Sequence, residues 1–182
     1  MADYNYELSW KAAFKAYTFK QFCKDSIIPL ILVIAFTVMA CCQKAQTLPE
    51  VIAEVCDIMI AILPAFISIL IAAFAIWISF FLSNTIDFIK KSDEGKVLLN
   101  ELNASFLIEI SFSIMGMLFT LSVSLITRLG FVAEEMIAEI FNTIVLLALL
   151  FVCFAVIWWL IYIAKNLHNI AKFTILYVDI EK

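Results

Sequence analysis

The chain has 182 residues, of which 65% are apolar and only 15% are Asp, Glu, Lys or Arg, and its formal net charge is −4. Soluble domains carry about 45–50% apolar and about 25% charged residues, so a soluble single domain and a disordered chain are both excluded. One histidine, three glycines and a negative net charge argue against metal clusters, glycine-rich phosphate loops and direct nucleic-acid binding. We therefore expect a membrane protein without a metal site or a cofactor.

Four apolar runs follow one another along the chain, at residues 27–42, 58–82, 105–127 and 140–164. An α-helix rises 1.5 Å per residue, so about 20 residues cross a hydrocarbon core of about 30 Å. The last three runs have this length, and the first reaches it with its flanking residues. The sequence predicts an all-α polytopic membrane protein with four transmembrane helices, at about 26–46, 58–82, 105–128 and 138–164.

The basic residues sort by compartment once these spans are drawn. Those in the N-terminal segment, the middle loop and the tail far outnumber those in the two other connections. By the positive-inside rule, both termini and the loop 84–104 face the cytoplasm. The first group is Lys11, Lys15, Lys20, Lys24, Lys90, Lys91, Lys96, Lys165, Lys172 and Lys182, and the second is Lys44 and Arg128.

The N-terminal segment, residues 1–25, has aromatic residues on one helical face: Tyr6, Trp10, Phe14 and Tyr17. Aromatic rings at headgroup depth, flanked by lysines, are typical of an amphipathic helix that lies on the bilayer surface. The segment is therefore predicted to be an interfacial anchor on the lipid bilayer. The alternative is that this helix packs on the cytoplasmic ends of the spans.

The loop 84–104 carries the pattern of a helical hairpin. Asn84 is a good helix cap, residues 92–95 form a turn signal, and an apolar stripe follows at residues 97–102. The tail, residues 166–182, continues the fourth helix into a β-branched and aromatic patch at residues 173–180. An apolar patch outside the membrane is expected to be covered by the loop, another subunit or a partner.

The third span contains small and polar residues at intervals of three and four. At 100° per residue they fall in a stripe about 100° wide. One interpretation is a helix-packing seam, in an oligomer or within the chain, because small residues let backbones approach and hydroxyls hydrogen-bond across. The other is the lining of a pore in a homo-oligomer. The stripe consists of Ser105, Glu109, Ser113, Gly116, Thr120, Ser124 and Thr127.

Glu109 is the one acidic residue inside the four apolar runs. An ionised carboxylate in hydrocarbon costs several kcal/mol, so such a group usually has a partner or faces water. Lys90, Lys91 and Lys165 are the candidate partners. The open interpretations are a gate, a proton-sensitive site, an inter-subunit anchor, or a side chain that extends to the interface.

No enzyme motif is present: the sequence lacks GxSxG and HExxH, and it has no nucleophile beside a plausible base. Membrane-embedded hydrolases need paired acids or several histidines near one leaflet, and this chain has a single acid there. We therefore expect a protein that is not an enzyme. The acids that precede the second and fourth spans have two interpretations, stabilisation of helix N-termini or cation-attracting rings in an oligomer.

In its length, cytoplasmic termini, cytoplasmic hairpin and near absence of an outer domain, the whole chain resembles the small four-span subunits of bacterial antiphage systems, of the KwaA type in Kiwa. The resemblance is architectural. It implies a homo-oligomeric membrane sensor and scaffold that docks a cytoplasmic effector protein, and the alternative function is a pore lined by the third span. Docking would then fall to the hairpin and the tail, at Asp87, Lys90, Lys91, Asp93, Glu94, Lys96, Phe173 and Tyr177.

Overall fold

The computed structural model describes residues 18–42, 47–81, 93–129 and 135–180. Within these ranges every residue is α-helical except Thr18, Ser26, Thr47 and Leu129, so the all-α prediction is confirmed there. The helices are α1 (Phe19–Asp25), α2 (Ile27–Cys42), α3 (Leu48–Phe81), α4 (Asp93–Arg128) and α5 (Glu135–Ile180).

Three of these helices are long and apolar enough to cross a membrane, over Leu48–Ser79, Gly95–Arg128 and Ile137–Asn169. Their outward faces are apolar: Ile76, Met115 and Leu125 are 68%, 65% and 61% exposed. Soluble monomers rarely expose continuous apolar surface of this kind, whereas lipid-facing helices do. The apolar part of α2, Ile27–Ala40, is shorter, so the first of the four predicted spans stays a prediction.

Helix α4 runs antiparallel to α3. In these two helices, Trp77 pairs with Asn103 and Asp57 pairs with Arg128, so the end of one helix meets the start of the other. Helix α5 meets α4 through Phe112–Trp159 and Gly116–Val152, and it meets the α1–α2 segment through Phe22–Trp159 and Phe36–Phe154, in reverse order each time. We define the basic end of the bundle as the one that holds the starts of α2 and α4 and carries Lys20, Lys24, Lys96, Lys165 and Lys172. The opposite, acidic end carries Glu50, Glu54, Asp57, Glu139 and Arg128.

The core is built by α3, α4 and α5, and α2 packs mainly on α5. Towards the acidic end, Met59, Leu149 and Val152 belong to one buried apolar cluster. Towards the basic end, Trp77 and Phe106 belong to a second cluster. Glu109 and Ser113 therefore lie on α4 between two apolar layers.

The break between α1 and α2 has a covalent cause. The amide of Ser26 donates to the carbonyl of Phe22 at 3.0 Å, and the amide of Leu30 donates to the carbonyl of Ser26 at 2.9 Å. Pro29 has no N–H, so the helical hydrogen bond to the carbonyl of Asp25 is missing. The chain therefore continues as a helix on both sides of this point, with one backbone hydrogen bond fewer.

The start of α3 is set by a capping interaction. The side chain of Glu50 accepts a hydrogen bond from the amide of Thr47 at 2.8 Å, and the carbonyl of Thr47 accepts one from the amide of Val51 at 3.1 Å. This is the reciprocal half of a capping box, and it also places an acid at a positive helix terminus. The helix therefore begins at Leu48, well before the uncharged run at residues 58–82.

Both α4 and α5 are longer than a bilayer requires. They contain 36 and 46 residues, and at 1.5 Å per residue they reach about 54 Å and about 69 Å, against about 30 Å of hydrocarbon. The start of α4 forms the second arm of the predicted hairpin, and α5 continues as one helix through most of the predicted tail. Residues 84–92, the first arm, and Tyr6, Trp10, Phe14 and Tyr17 of the predicted anchor lie outside the described residues.

Gly116 sets the distance between α4 and α5. A Cβ built on Gly116 overlaps Cγ1 of Val152, a buried residue of the first core cluster. We expect Gly116→Ala to lower the free energy of unfolding by about 1–3 kcal/mol, the usual cost of overpacking. Unfolding in mixed detergent micelles with increasing SDS measures this change.

The control for this prediction is the double variant Gly116→Ala, Val152→Ala, in which the new methyl group occupies the space that valine leaves. Its loss of stability is expected to be smaller than the sum of the two single losses. Additive losses would show that Gly116 does not limit the approach of α4 to α5.

Candidate functional site

The polar stripe of α4 faces the inside of the chain. Glu109, Ser113 and Thr120 are 4%, 0% and 0% exposed. Ser105, Gly116 and Ser124 are also buried, and Thr127 at the helix end is half-buried. A single chain therefore uses the stripe to pack α4 against its own neighbours. A pore lined by these residues requires this packing to be opened.

Four hydroxyl groups of the stripe bond to their own helix, and that of Thr120 also reaches across to α3, with Oγ1 4.0 Å from Sδ of Met59. Ser105, Ser113, Thr120 and Thr127 donate to the carbonyls four residues earlier, at 3.0, 2.8, 2.8 and 2.5 Å. Hydroxyls of Ser and Thr do this readily in helices, because the carbonyl one turn back lies within reach. Because these hydroxyl groups have their hydrogen-bond acceptors within α4, the stripe joins α4 to α3 and α5 mainly through close packing.

Glu109 is the exception along the stripe. Its Oε2 atom is buried and has no hydrogen-bond partner among the described residues. The charge of Asp25, at the end of α1, is close enough to act on Glu109. Lys165, one of the expected partners, is exposed and does not pair with it, and Lys90 and Lys91 lie outside the described residues. At 4% exposure, Glu109 does not extend into solvent.

Aromatic rings from three helices cover the region next to Glu109. The ring of Trp159 lies 4.7 Å from Phe112 and 5.7 Å from Phe22, between centroids. Phe112 also contacts Phe151 edge-on at 6.2 Å. Trp158, Trp159 and Tyr162 near the end of the fourth run predict an aromatic belt at the lipid interface, and for Trp159 this is wrong. Its side chain is 1% exposed, and its Nε1 atom has no acceptor among the described residues.

A second polar contact joins α3 and α4 near the basic end. The Nε1 atom of Trp77 donates to Oδ1 of Asn103 at 2.8 Å, and the tryptophan is 1% exposed. Sequence reasoning did not select either residue. A tryptophan inside a span and an asparagine at the start of the next one are the available signals, but spacing alone does not pair them.

Those predicted docking residues whose backbone the structure describes lie at the basic end. Lys96 is half-buried and already engaged in an interaction. Asp93 and Glu94 lie in the first turn of α4, and Phe173 and Tyr177 lie in the last turns of α5; their side chains are outside the described part. Asp87, Lys90 and Lys91 are outside it entirely.

At the acidic end, an ion pair joins α3 to α4. Nη2 of Arg128 donates to Oδ1 of Asp57 at 2.8 Å, and the two side chains are 69% and 62% exposed. Exposed pairs contribute little to stability, on the order of 0–1 kcal/mol. Across the described residues, no group of three or more His, Cys, Asp and Glu side chains is placed to share a metal ion.

Comparison of the chain with protein-family models, curated proteins and solved structures gives no match. The functional interpretation therefore depends on the geometry of this chain.

The Trp77–Asn103 contact is testable through stability. Asn103→Ala removes the acceptor of a buried indole N–H, so we expect a loss of about 1 kcal/mol in the free energy of unfolding. The SDS unfolding midpoint reports the change. Asn100→Ala, a half-buried asparagine one turn earlier on α4, is the matched control and should leave the midpoint nearly unchanged. Equal midpoints for the two variants would contradict a stabilising role for this hydrogen bond.

Proposed function

We propose that the chain is a non-catalytic, four-span protein of a bacterial inner membrane that acts as a homo-oligomeric sensor and scaffold and docks a cytoplasmic effector protein. The observation that carries this proposal is the length of α4 and α5. Both helices exceed the hydrocarbon thickness, and their surplus turns gather at the basic end. Rigid helices that leave the bilayer together are suited to transmit a change in the membrane to a bound protein.

The proposed orientation follows from the distribution of basic residues. Among the described residues, the basic end has lysines on α1, α4 and α5, whereas Arg128 at the acidic end is paired with Asp57. Positively charged residues near span ends favour the cytoplasmic side. This supports an arrangement in which both termini and the loop 84–104 are cytoplasmic.

The proposed oligomer would assemble through outward faces rather than through the stripe. The stripe of α4 is occupied by contacts within the chain, whereas α2 exposes large apolar residues such as Ile31, Ile34 and Met39 at 60%, 53% and 61%. Shape-matched apolar faces associate in membranes by close packing. The architectural resemblance to KwaA-type subunits adds antiphage defence as the proposed process.

The span count and orientation are tested with two native cysteines. Cys23 is exposed on α1 at the basic end, and Cys42 is exposed at the far end of α2. In variants in which either Cys42 or Cys23 is the only cysteine left, a membrane-impermeant maleimide should label Cys42 in spheroplasts and Cys23 in inverted vesicles. Labelling of both from the same side would contradict a membrane-crossing α2.

The docking surface is tested by a combined alanine variant. Replacing Lys90, Lys91, Asp93, Glu94 and Phe173 by alanine should abolish co-purification of the cytoplasmic protein encoded beside this one, since charged and apolar contacts are both lost. The detergent-corrected mass should not change. A control variant with Glu54→Ala and Glu139→Ala at the acidic end should retain binding.

Ion flux across the membrane of protein-containing liposomes distinguishes the scaffold function from the pore function. Purified protein is expected to leave liposomes tight to small ions while it still binds its partner. Ion flux without partner binding would contradict the scaffold and favour a pore lined by α4.

A further inference from the structure

Helix α1 forms a cover over the Glu109 region. Phe22, in the middle of α1, contacts Trp159 of α5 and Phe112 of α4, with centroid distances of 5.7 and 6.5 Å. Phe112 lies one turn from Glu109 on the same helix. Among the described side chains of α1, the ring of Phe22 thus holds the cover by contacting both α4 and α5.

The surface under this cover lacks hydrogen-bond partners. Among the described residues, the buried side-chain atoms without partners include Oε2 of Glu109, Nε1 of Trp159 and Oγ of Ser26. Glu109 and Trp159 flank Phe112, and Ser26 lies one turn beyond Phe22. The three residues thus belong to the Phe22–Phe112–Trp159 contact or lie about one helical turn from it along the chain, although buried polar groups are normally paired.

Few charged groups surround Glu109. On α1, Asp25 acts on it electrostatically, and Lys20, Cys23 and Lys24 are exposed. On α5, the nearest titratable residues towards the basic end, Tyr162 and Lys165, are exposed. From residue 58 to residue 81, α3 has no charged residue, and α2 has none either. The described part of the chain thus offers Glu109 a neighbouring negative charge and no cation.

The junction between α1 and α2 allows the cover to move. Helical hydrogen bonding is interrupted where Pro29 lacks the N–H that would bond to the carbonyl of Asp25. Breaks of this kind are sites of bending. α1 can therefore swing about residues 25–29 while α2 stays packed on α5.

We infer that α1 covers Glu109 only while this carboxyl group carries its proton, and that loss of the proton to water releases α1 from the aromatic cluster. An ionised carboxylate without donors is costly in an apolar site, and the charge of Asp25 adds repulsion. Opening relieves both costs, because water reaches Glu109 and Asp25 moves away. The closed form therefore predominates at low pH, and the open form grows as the pH rises.

The cover is tested by double electron–electron resonance on the full chain in lipid nanodiscs. Spin labels are attached to the native Cys23 on α1 and to Lys165→Cys on α5, with the other cysteines replaced by alanine. The wild-type background should show one short distance at low pH and a growing longer-distance population at high pH. Glu109→Gln, which has nearly the same shape and no charge, should lose the longer population at every pH.

Two further variants decide the outcome. Glu101→Gln removes a half-buried carboxylate two turns earlier on α4, and it should keep the wild-type pH response. Phe22→Ala removes the aromatic contact and should show the longer distance at every pH. The inference is overturned if the wild-type distances do not depend on pH, or if Glu109→Gln responds to pH as Glu101→Gln does.

Discussion

The constraint on which this fold depends is the length of its apolar helices, since three of them are long and apolar enough to cross a membrane. In hydrocarbon there is no water, so every polar group needs a partner within the protein, and helices satisfy the backbone. The polar side chains of α4 follow the same rule: Ser105, Ser113, Thr120 and Thr127 donate to carbonyls of their own helix. Among the described residues of this stripe, only Glu109 has an acceptor atom that is buried without a partner, and this makes it a candidate functional residue.

Close approach then replaces hydrophobic attraction as the means of holding the helices together. Gly116 lets the backbone of α4 reach Val152 of α5, and two apolar clusters fill the space on either side of Glu109. Interhelical hydrogen bonds are few, and Trp77–Asn103 is the clearest. A bundle assembled in this way has an apolar outward surface, and the ends of its longest helices extend beyond the packed core. The extended starts and ends of α4 and α5 at the basic end follow from the surplus length of these helices.

The sequence predicted the helical class and the stripe of α4, and three of its four predicted spans fall on long apolar helices, because periodicity and composition report burial and helix faces directly. It did not predict where the stripe points. Spacing shows that Ser113 and Thr120 share a face, but the same face serves a pore, an oligomer or the interior of one chain. It also placed Trp159 in an interfacial belt, since tryptophan near a span end usually lies there, whereas this ring is buried between Phe22 and Phe112.

The sequence by itself determined that the chain is helical and suited to a membrane, since a 65% apolar composition in long runs has no other stable arrangement. It also determined that lysines gather at one end and that one acid enters a span. Only the tertiary structure decided that Glu109 is enclosed by α1, α4 and α5 with Asp25 nearby. The reason is that burial and pairing depend on which helices meet and at what height. Contacts such as Phe22–Trp159 join residues far apart along the chain, and no local pattern encodes them.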